Sequence, residues 1–110
     1  MSITKQIILK INSFGKSQTT NGFNRIAFSD ADMQARRWLR EFLWSNGIMS
    51  WMDPVGNVIG RWGPPEGPVV MTGSHMDTVA EGGAYDGTVG VAGLIFSFNA
   101  SKKKAVLELW

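Results

Sequence analysis

The stretch from Pro68 to Phe98 is the strongest constraint on what this chain can fold into. Pro68 to Thr72 is a short apolar run, consistent with a buried strand. It delivers the chain to Gly-Ser-His-Met-Asp-Thr-Val-Ala-Glu-Gly-Gly-Ala-Tyr-Asp-Gly, positions 73 to 87, where glycines crowd the backbone into a loop. Thr88 to Phe98 is then apolar almost all round. A buried helix fits it, although Val89, Val91 and Ile95 leave a strand open.

The flanking segments complete an α/β pattern. Ile7, Ile8, Ile11 and Phe14 fall at helical spacing and predict a short amphipathic helix over 3–14, and residues 15–24 read as a loop. Ser29 with Asp32 resembles a capping box. Behind it Ala35, Trp38, Leu39, Phe42 and Leu43 share one face, and Arg36, Arg37, Arg40 and Glu41 lie mostly on the other. That spacing predicts a helix over 30–46, ended by a left-handed Gly47. Strands are expected at Ile48–Met52 and Asn57–Trp62, joined by the turn Asp53-Pro54-Val55-Gly56. Asn99 to Lys104 reads as a loop, and Ala105 to Trp110 as a further strand. In open α/β sheets ligands gather at the carboxyl ends of strands, which is where His75 falls.

Composition removes several function classes. The chain has 110 residues, 44% of them hydrophobic and 18% charged, as expected for one small globular domain and unlike a disordered segment. It has no cysteine, so disulfides and thiolate metal sites are excluded and any metal falls to imidazole and carboxylate. No apolar run reaches membrane-spanning length, and no secretory h-region opens the chain; the expectation is a soluble cytoplasmic protein. The net charge of +2 rests on Lys102, Lys103 and Lys104, which read as a solvated turn; the rest is near neutral and offers no basic footprint for nucleic acid. Five tryptophans and six phenylalanines are a heavy aromatic load for this length. Trp44, Trp51, Trp62 and Trp110 read as exposed aromatics, marking a partner surface or the core of a larger fold.

His75 is the single histidine, with Asp77 and Asp86 close behind it. Imidazole and carboxylate suit zinc, and also manganese or cobalt. In a two-metal design His75 would bind one ion and Asp86, with two oxygens, would bridge both. In an extended segment Asp77 faces the same side as His75 and can accept its other ring N–H, which fixes the tautomer. The same residues also admit a plain surface histidine and an ordinary Asp-Gly turn.

Gly-Ser-His-Met-Asp-Thr-Val followed by Gly-Gly-Ala-Tyr-Asp-Gly-Thr-Val-Gly-Val resembles the first metal-binding motif of the amidase/carbamoylase branch of the M20 zinc peptidase superfamily. That branch holds N-carbamoyl-L-amino acid hydrolases, β-ureidopropionases and allantoate amidohydrolases. Asn21-Gly22-Phe23-Asn24-Arg25-Ile26-Ala27-Phe28-Ser29 and Asp53-Pro54-Val55-Gly56-Asn57 resemble two further stretches of the family, in the family's order. The likeness covers about residues 5 to 95. It implies the N-terminal part of a zinc-exopeptidase-like α/β catalytic domain: an incomplete mixed sheet with flanking helices, and residues 1–110 as one partial domain. It also implies His75 as a terminal metal ligand, Asp86 as the bridge and Asp77 as the acid that orients His75. Two divalent ions, Zn²⁺ or Mn²⁺/Co²⁺, would serve hydrolysis of a linear carbon–nitrogen bond in a small ureido or carbamoyl substrate.

The departures shape the expectation equally. The family's adjacent Glu pair, its later histidine ligands, its substrate-binding arginine region and its dimerisation domain have no counterpart here, although the full-length family is homodimeric. Asn24 stands where the family has Thr, and Ile95, Phe96 and Phe98 make the last helix less polar than the family's. The expectation is an N-terminal piece of such an enzyme, with an incomplete metal site and little catalysis by itself. The alternative is a non-catalytic remnant that binds a metal or a protein; an aminopeptidase or deacetylase of the same superfamily is disfavoured by Gly82-Gly83.

Overall fold

The structure is a computed structural model that describes residues 2–101 and 107–109. Helix α1 spans Ile3–Asn12, and Ser2 caps it by accepting the Lys5 amide on its hydroxyl. It stops two residues before the predicted end, where the Ser13 hydroxyl turns back onto the Lys10 carbonyl at 2.6 Å; Phe14 still packs against the core.

Helix α2 spans Asp30–Ser45. The Ser29 hydroxyl accepts the Asp32 amide at 3.3 Å as the capping box requires, but Asp32 reaches back to the Phe28 amide, at 2.8 Å, rather than to that of Ser29. This grip holds Phe28 at φ 67, a left-handed conformation that costs roughly 1–2 kcal/mol for such a residue. The same carboxylate pairs with Arg36 at 2.7 Å, and the Arg36 guanidinium covers the Phe28 ring at 4.7 Å. At the other end Gly47, at φ +79, closes a Schellman motif. Its amide meets the Trp44 carbonyl at 3.1 Å, and the Ile48 amide meets the Leu43 carbonyl at 3.0 Å. Leu43 and Ile48, the apolar pair that accompanies this motif, are both buried.

Strands β1 (Met49–Met52) and β2 (Val58–Arg61) form an antiparallel hairpin in the register Met49↔Arg61 to Met52↔Val58. The Asp53 carboxylate organises its turn, accepting the Val55 and Asn57 amides at 3.1 and 2.8 Å. Strand β3 spans Val70–Thr72, helix α3 Thr88–Ser101 and strand β4 Leu107–Leu109. The strands lie in the order β1-β2-β4-β3, with β4 antiparallel to β2 and parallel to β3. Thus β3, α3 and β4 make a β-α-β unit whose loop leaves the carboxyl end of β3. The chain is an α/β domain with a mixed sheet.

One core cluster joins Ile7 and Ile11 of α1, Ala35, Leu39 and Leu43 of α2, and Val91, Ala92, Ile95 and Phe98 of α3 to Ile48, Val58 and Met76. Helix α1 packs on α3, and α2 on the β1–β2 hairpin.

Several expectations need correction. β3 is an edge strand, and its Val70 and Met71 are exposed because strand side chains stand out from the sheet faces and no helix makes a substantial contact with this strand among the described residues. Thr88–Phe98 is helical, so the strand option falls, but the helix is not fully buried: Val89 and Phe96 face solvent. It runs on through Ser101, into the predicted loop. Trp44 and Trp51 are exposed, whereas Trp62 is half-buried, edge-on to Phe98 at 5.3 Å. Lys102–Lys104, Ala105, Val106 and Trp110 lie outside the described residues. Among the described residues no helix is long and apolar enough to cross a membrane.

Candidate metal half-site

β3 brings the chain to Gly73, and residues 73–79 then pass His75 and Asp77 without regular secondary structure before the chain turns through Glu81 to Gly87. This segment does not lie loose on the surface. It is laced to residues 22–25, at the end of the segment expected to be a loop. Phe23 and Gly82 exchange backbone hydrogen bonds at 3.0 and 2.8 Å, and the Thr78 amide meets the Arg25 carbonyl at 2.8 Å. The Thr78 hydroxyl accepts the Arg25 amide at 2.9 Å and donates to the Phe23 carbonyl at 3.1 Å. Asn24 and Glu81 pair reciprocally: the Asn24 amide group donates to the carboxylate at 3.1 Å, and its oxygen accepts the Glu81 backbone amide at 2.8 Å. Thr20 adds a hydroxyl to the same carboxylate. These donors hold Glu81 below its ordinary pKa, Thr20 first and Asn24 second.

The three predicted site residues come together around the imidazole. His75 Nδ1 lies 3.3 Å from Asp77 Oδ1 and 3.1 Å from the Asp77 carbonyl oxygen. On the opposite side of the ring, Nε2 lies 3.3 Å from Asp86 Oδ2. The two carboxylates therefore bracket the ring rather than share one point. Among the described residues no group of three or more histidine and acidic side chains is arranged to hold a metal ion. The Nε2–Asp86 edge is open: the Asp86 side chain is 87% exposed and that of His75 52%.

Gly87 is required by this packing. Its φ is +75, and a Cβ there would sit 2.7 Å from the His75 Nδ1 and Cε1 atoms. The Ser74 hydroxyl donates to the Gly87 carbonyl at 2.9 Å, closing the loop across its two ends. A cavity of about 150 Å³ lies beside His75 and Asp77, bounded by Ser74, Asp32 and Arg36. That volume suits a small polar group and is well below the roughly 300 Å³ at which drug-sized ligand pockets begin.

The donor set fits a cation at the open edge. Two ligands at 2.0–2.1 Å from a tetrahedral zinc ion lie roughly 3.3–3.4 Å apart, the range in which the His75–Asp86 separation of 3.3 Å falls.

Sequence reasoning missed Arg25 and Asn12. Arg25 is fully buried, and its Nε donates to the Met76 carbonyl at 2.7 Å, between His75 and Asp77. Its one signal in the sequence was its place in the Asn21–Ser29 stretch.

No protein-family model matches the chain. It is 35% identical over 96 residues to ureidoglycolate hydrolase of Arabidopsis thaliana, covering 86% of this chain and 20% of that protein. It is 33% identical over 88 residues to N-carbamoyl-L-amino acid amidohydrolase of Geobacillus stearothermophilus, covering 78% of this chain and 21% of that protein. A solved hydantoinase/carbamoylase family amidase from Burkholderia ambifaria superposes with a TM-score of 0.81 at 26% identity, over 96% of this chain and 28% of that one. The chain spans about a fifth of the length of the curated relatives it matches. Over that part of their length, this chain is similar in sequence and fold to hydantoinase/carbamoylase family amidases.

Proposed function

We propose that the chain supplies one wall of a two-cation amidohydrolase site that cleaves a linear carbon–nitrogen bond in a ureido or carbamoyl group. The observation that carries this reading is the bracketed imidazole at the carboxyl end of β3, with Nε2 and Asp86 side by side at an open edge. The relatives support the substrate class: one is a ureidoglycolate hydrolase and another an N-carbamoyl-L-amino acid amidohydrolase.

In this reading His75 and Asp86 hold the ions, zinc or else manganese or cobalt. Bound divalent ions would polarise the substrate carbonyl and lower the pKa of water. The chain's own residues prepare that chemistry. The Asp77 backbone carbonyl, 3.1 Å from Nδ1, accepts the Nδ1–H of His75, with the Asp77 carboxylate 3.3 Å away on the same side, which leaves Nε2 as the lone-pair face. Asp86 has two oxygens and is almost wholly exposed, so it can serve two cations at once. Gly87 lets the loop backbone close against the ring. Because Asp77 occupies the Nδ1 side, it is a positioning residue and not a base for water at the Nε2 edge.

Titration calorimetry with Zn²⁺ and Mn²⁺ tests the proposal. His75→Ala and Asp86→Ala should each abolish measurable binding, and Asp77→Asn should weaken it about 10–100-fold. Binding that survives both alanine variants would sink the assignment. N-Carbamoyl amino acids and ureidoglycolate are the substrates to assay alongside.

A further inference from the structure

Eleven positions separate His75 from Asp86, and the glycine-rich segment between them is too permissive to hold two donors at 3.3 Å unaided. A buried connection from outside the loop spans that gap. Arg25 Nε donates to the Met76 carbonyl at 2.7 Å, next to His75. Its Nη1 donates to the Ile11 and Phe14 carbonyls at 3.0 and 2.9 Å, at the end of α1, and its Nη2 to Asn12 Oδ1 at 3.2 Å. Asn12 passes the connection on: its Nδ2 donates to the Ala84 carbonyl at 2.8 Å, two residues before Asp86. One chain of hydrogen bonds thus runs from the peptide beside His75, through Arg25 and Asn12, to the loop that carries Asp86.

We propose that Arg25 and Asn12 are positioning residues that set the distance between His75 and Asp86, and through it the affinity of the pair for a divalent cation. The inference rests on the reading of those two residues as metal ligands. Two features favour this role over simple core filling. A buried guanidinium is a costly way to fill space, since a well-packed apolar group of similar volume is often as stabilising or more so. Burial holds Arg25 below its ordinary pKa, while Asp32 and Asp77 work against that shift. The guanidinium fork also gives what a single ammonium does not, since it holds Met76, the end of α1 and Asn12 in fixed directions at once.

The test is Zn²⁺ and Mn²⁺ titration of the wild-type chain, Asn12→Ala and Arg25→Lys, paired with amide hydrogen exchange on the metal-free proteins. Both variants should bind the ions about 10–100-fold more weakly. Protection should fall at Thr78, Thr88 and Val89, whose amides are hydrogen-bonded beside the two ends of this connection, with Leu39 and Leu43 of α2 unchanged. Unaltered affinity in both variants overturns the proposal, and so does a loss of affinity that tracks a loss of protection at Leu39 and Leu43. A wild-type chain that binds neither ion overturns the metal reading itself, and this inference with it.

Discussion

Helix α2 is the more polar of the two longer helices and α3 the more apolar, yet the stripe of α2 from Ala35 to Leu43 is buried or half-buried throughout, whereas α3 leaves large apolar side chains exposed. Leu39 and Leu43 are 4% and 1% exposed, whereas Phe96 in α3 is 53% exposed. The difference lies in what each helix meets. The stripe on α2 matches the β1–β2 hairpin it packs against, and its charged face needs no cover. Helix α3 is apolar on all sides, and a helix of that kind needs neighbours all round; α1 covers one side. Val70 and Met71 of β3 are exposed as well. Apolar packing thus holds the α2 half, while the β3–α3 half, which carries the site, adds to the buried face of α3 a set of buried polar ties through Arg25, Asn12 and Thr78.

That contrast is easiest to break at Arg25. Arg25→Ala strands the Met76 and Phe14 carbonyls and Asn12 Oδ1 together, and leaves the Ile11 carbonyl with the Phe14 amide alone. Each buried orphan costs about 1–3 kcal/mol, so the sum approaches the whole stability of a small domain. Urea unfolding should show a loss of at least about 3 kcal/mol or no folded protein; a loss below about 1 kcal/mol would mean that apolar packing holds this half too. The next comparison sets Leu39→Ala against Phe96→Ala. The first should cost about 2–5 kcal/mol and the second less than about 1, because one leaves a cavity and the other does not. Equal losses would show that α3 is covered in solution. Ser29→Ala comes third, at about 1 kcal/mol of thermal stability, the ordinary worth of a helix N-cap.

The α2 half was legible in the sequence for the same reason that it is well packed. The stripe from Ala35 to Leu43, the Ser29 cap and the Gly47 stop are local signals, each readable within a few residues, and all three appear in the fold. The site was legible in part. The place of His75 after a strand, and its company of Asp77 and Asp86, could be read directly. What holds them could not, since Arg25 and Met76 are 51 positions apart and Asn12 and Ala84 are 72 apart. A buried polar network has no period and no composition, so it leaves no mark on hydropathy. Exposure of α3 and β3 was hidden for the opposite reason: a continuous apolar run states that a segment can be buried, not that something covers it. Asn24 read as a departure from the family's Thr, yet it is half of a reciprocal pair with Glu81.

That pair gives the smallest expected effect and the sharpest view of the exposed tie between the two loops. Hydrogen bonds from Thr20 and Asn24 lower the Glu81 pKa in the folded chain. A carboxylate whose pKa is lowered by folding stabilises the protein above its unfolded pKa, about 4.3 for Glu, and loses that contribution as pH falls through the folded value. Asp53, lowered chiefly by its bond from Asn57, acts in the same direction from slightly lower pH. Thermal stability should therefore be flat near neutrality with respect to these groups and should fall below about pH 4.3. Glu81→Gln should lower the midpoint slightly at pH 7 and remove part of the acid slope, so that the two curves converge at low pH. Asp53→Asn should remove a separate part of the slope, because its turn lies in the β1–β2 hairpin and shares no partner with Glu81. Parallel curves for wild type and Glu81→Gln from pH 3 to 7 would show that this exposed link, unlike the buried one through Arg25, does not help to hold the loop.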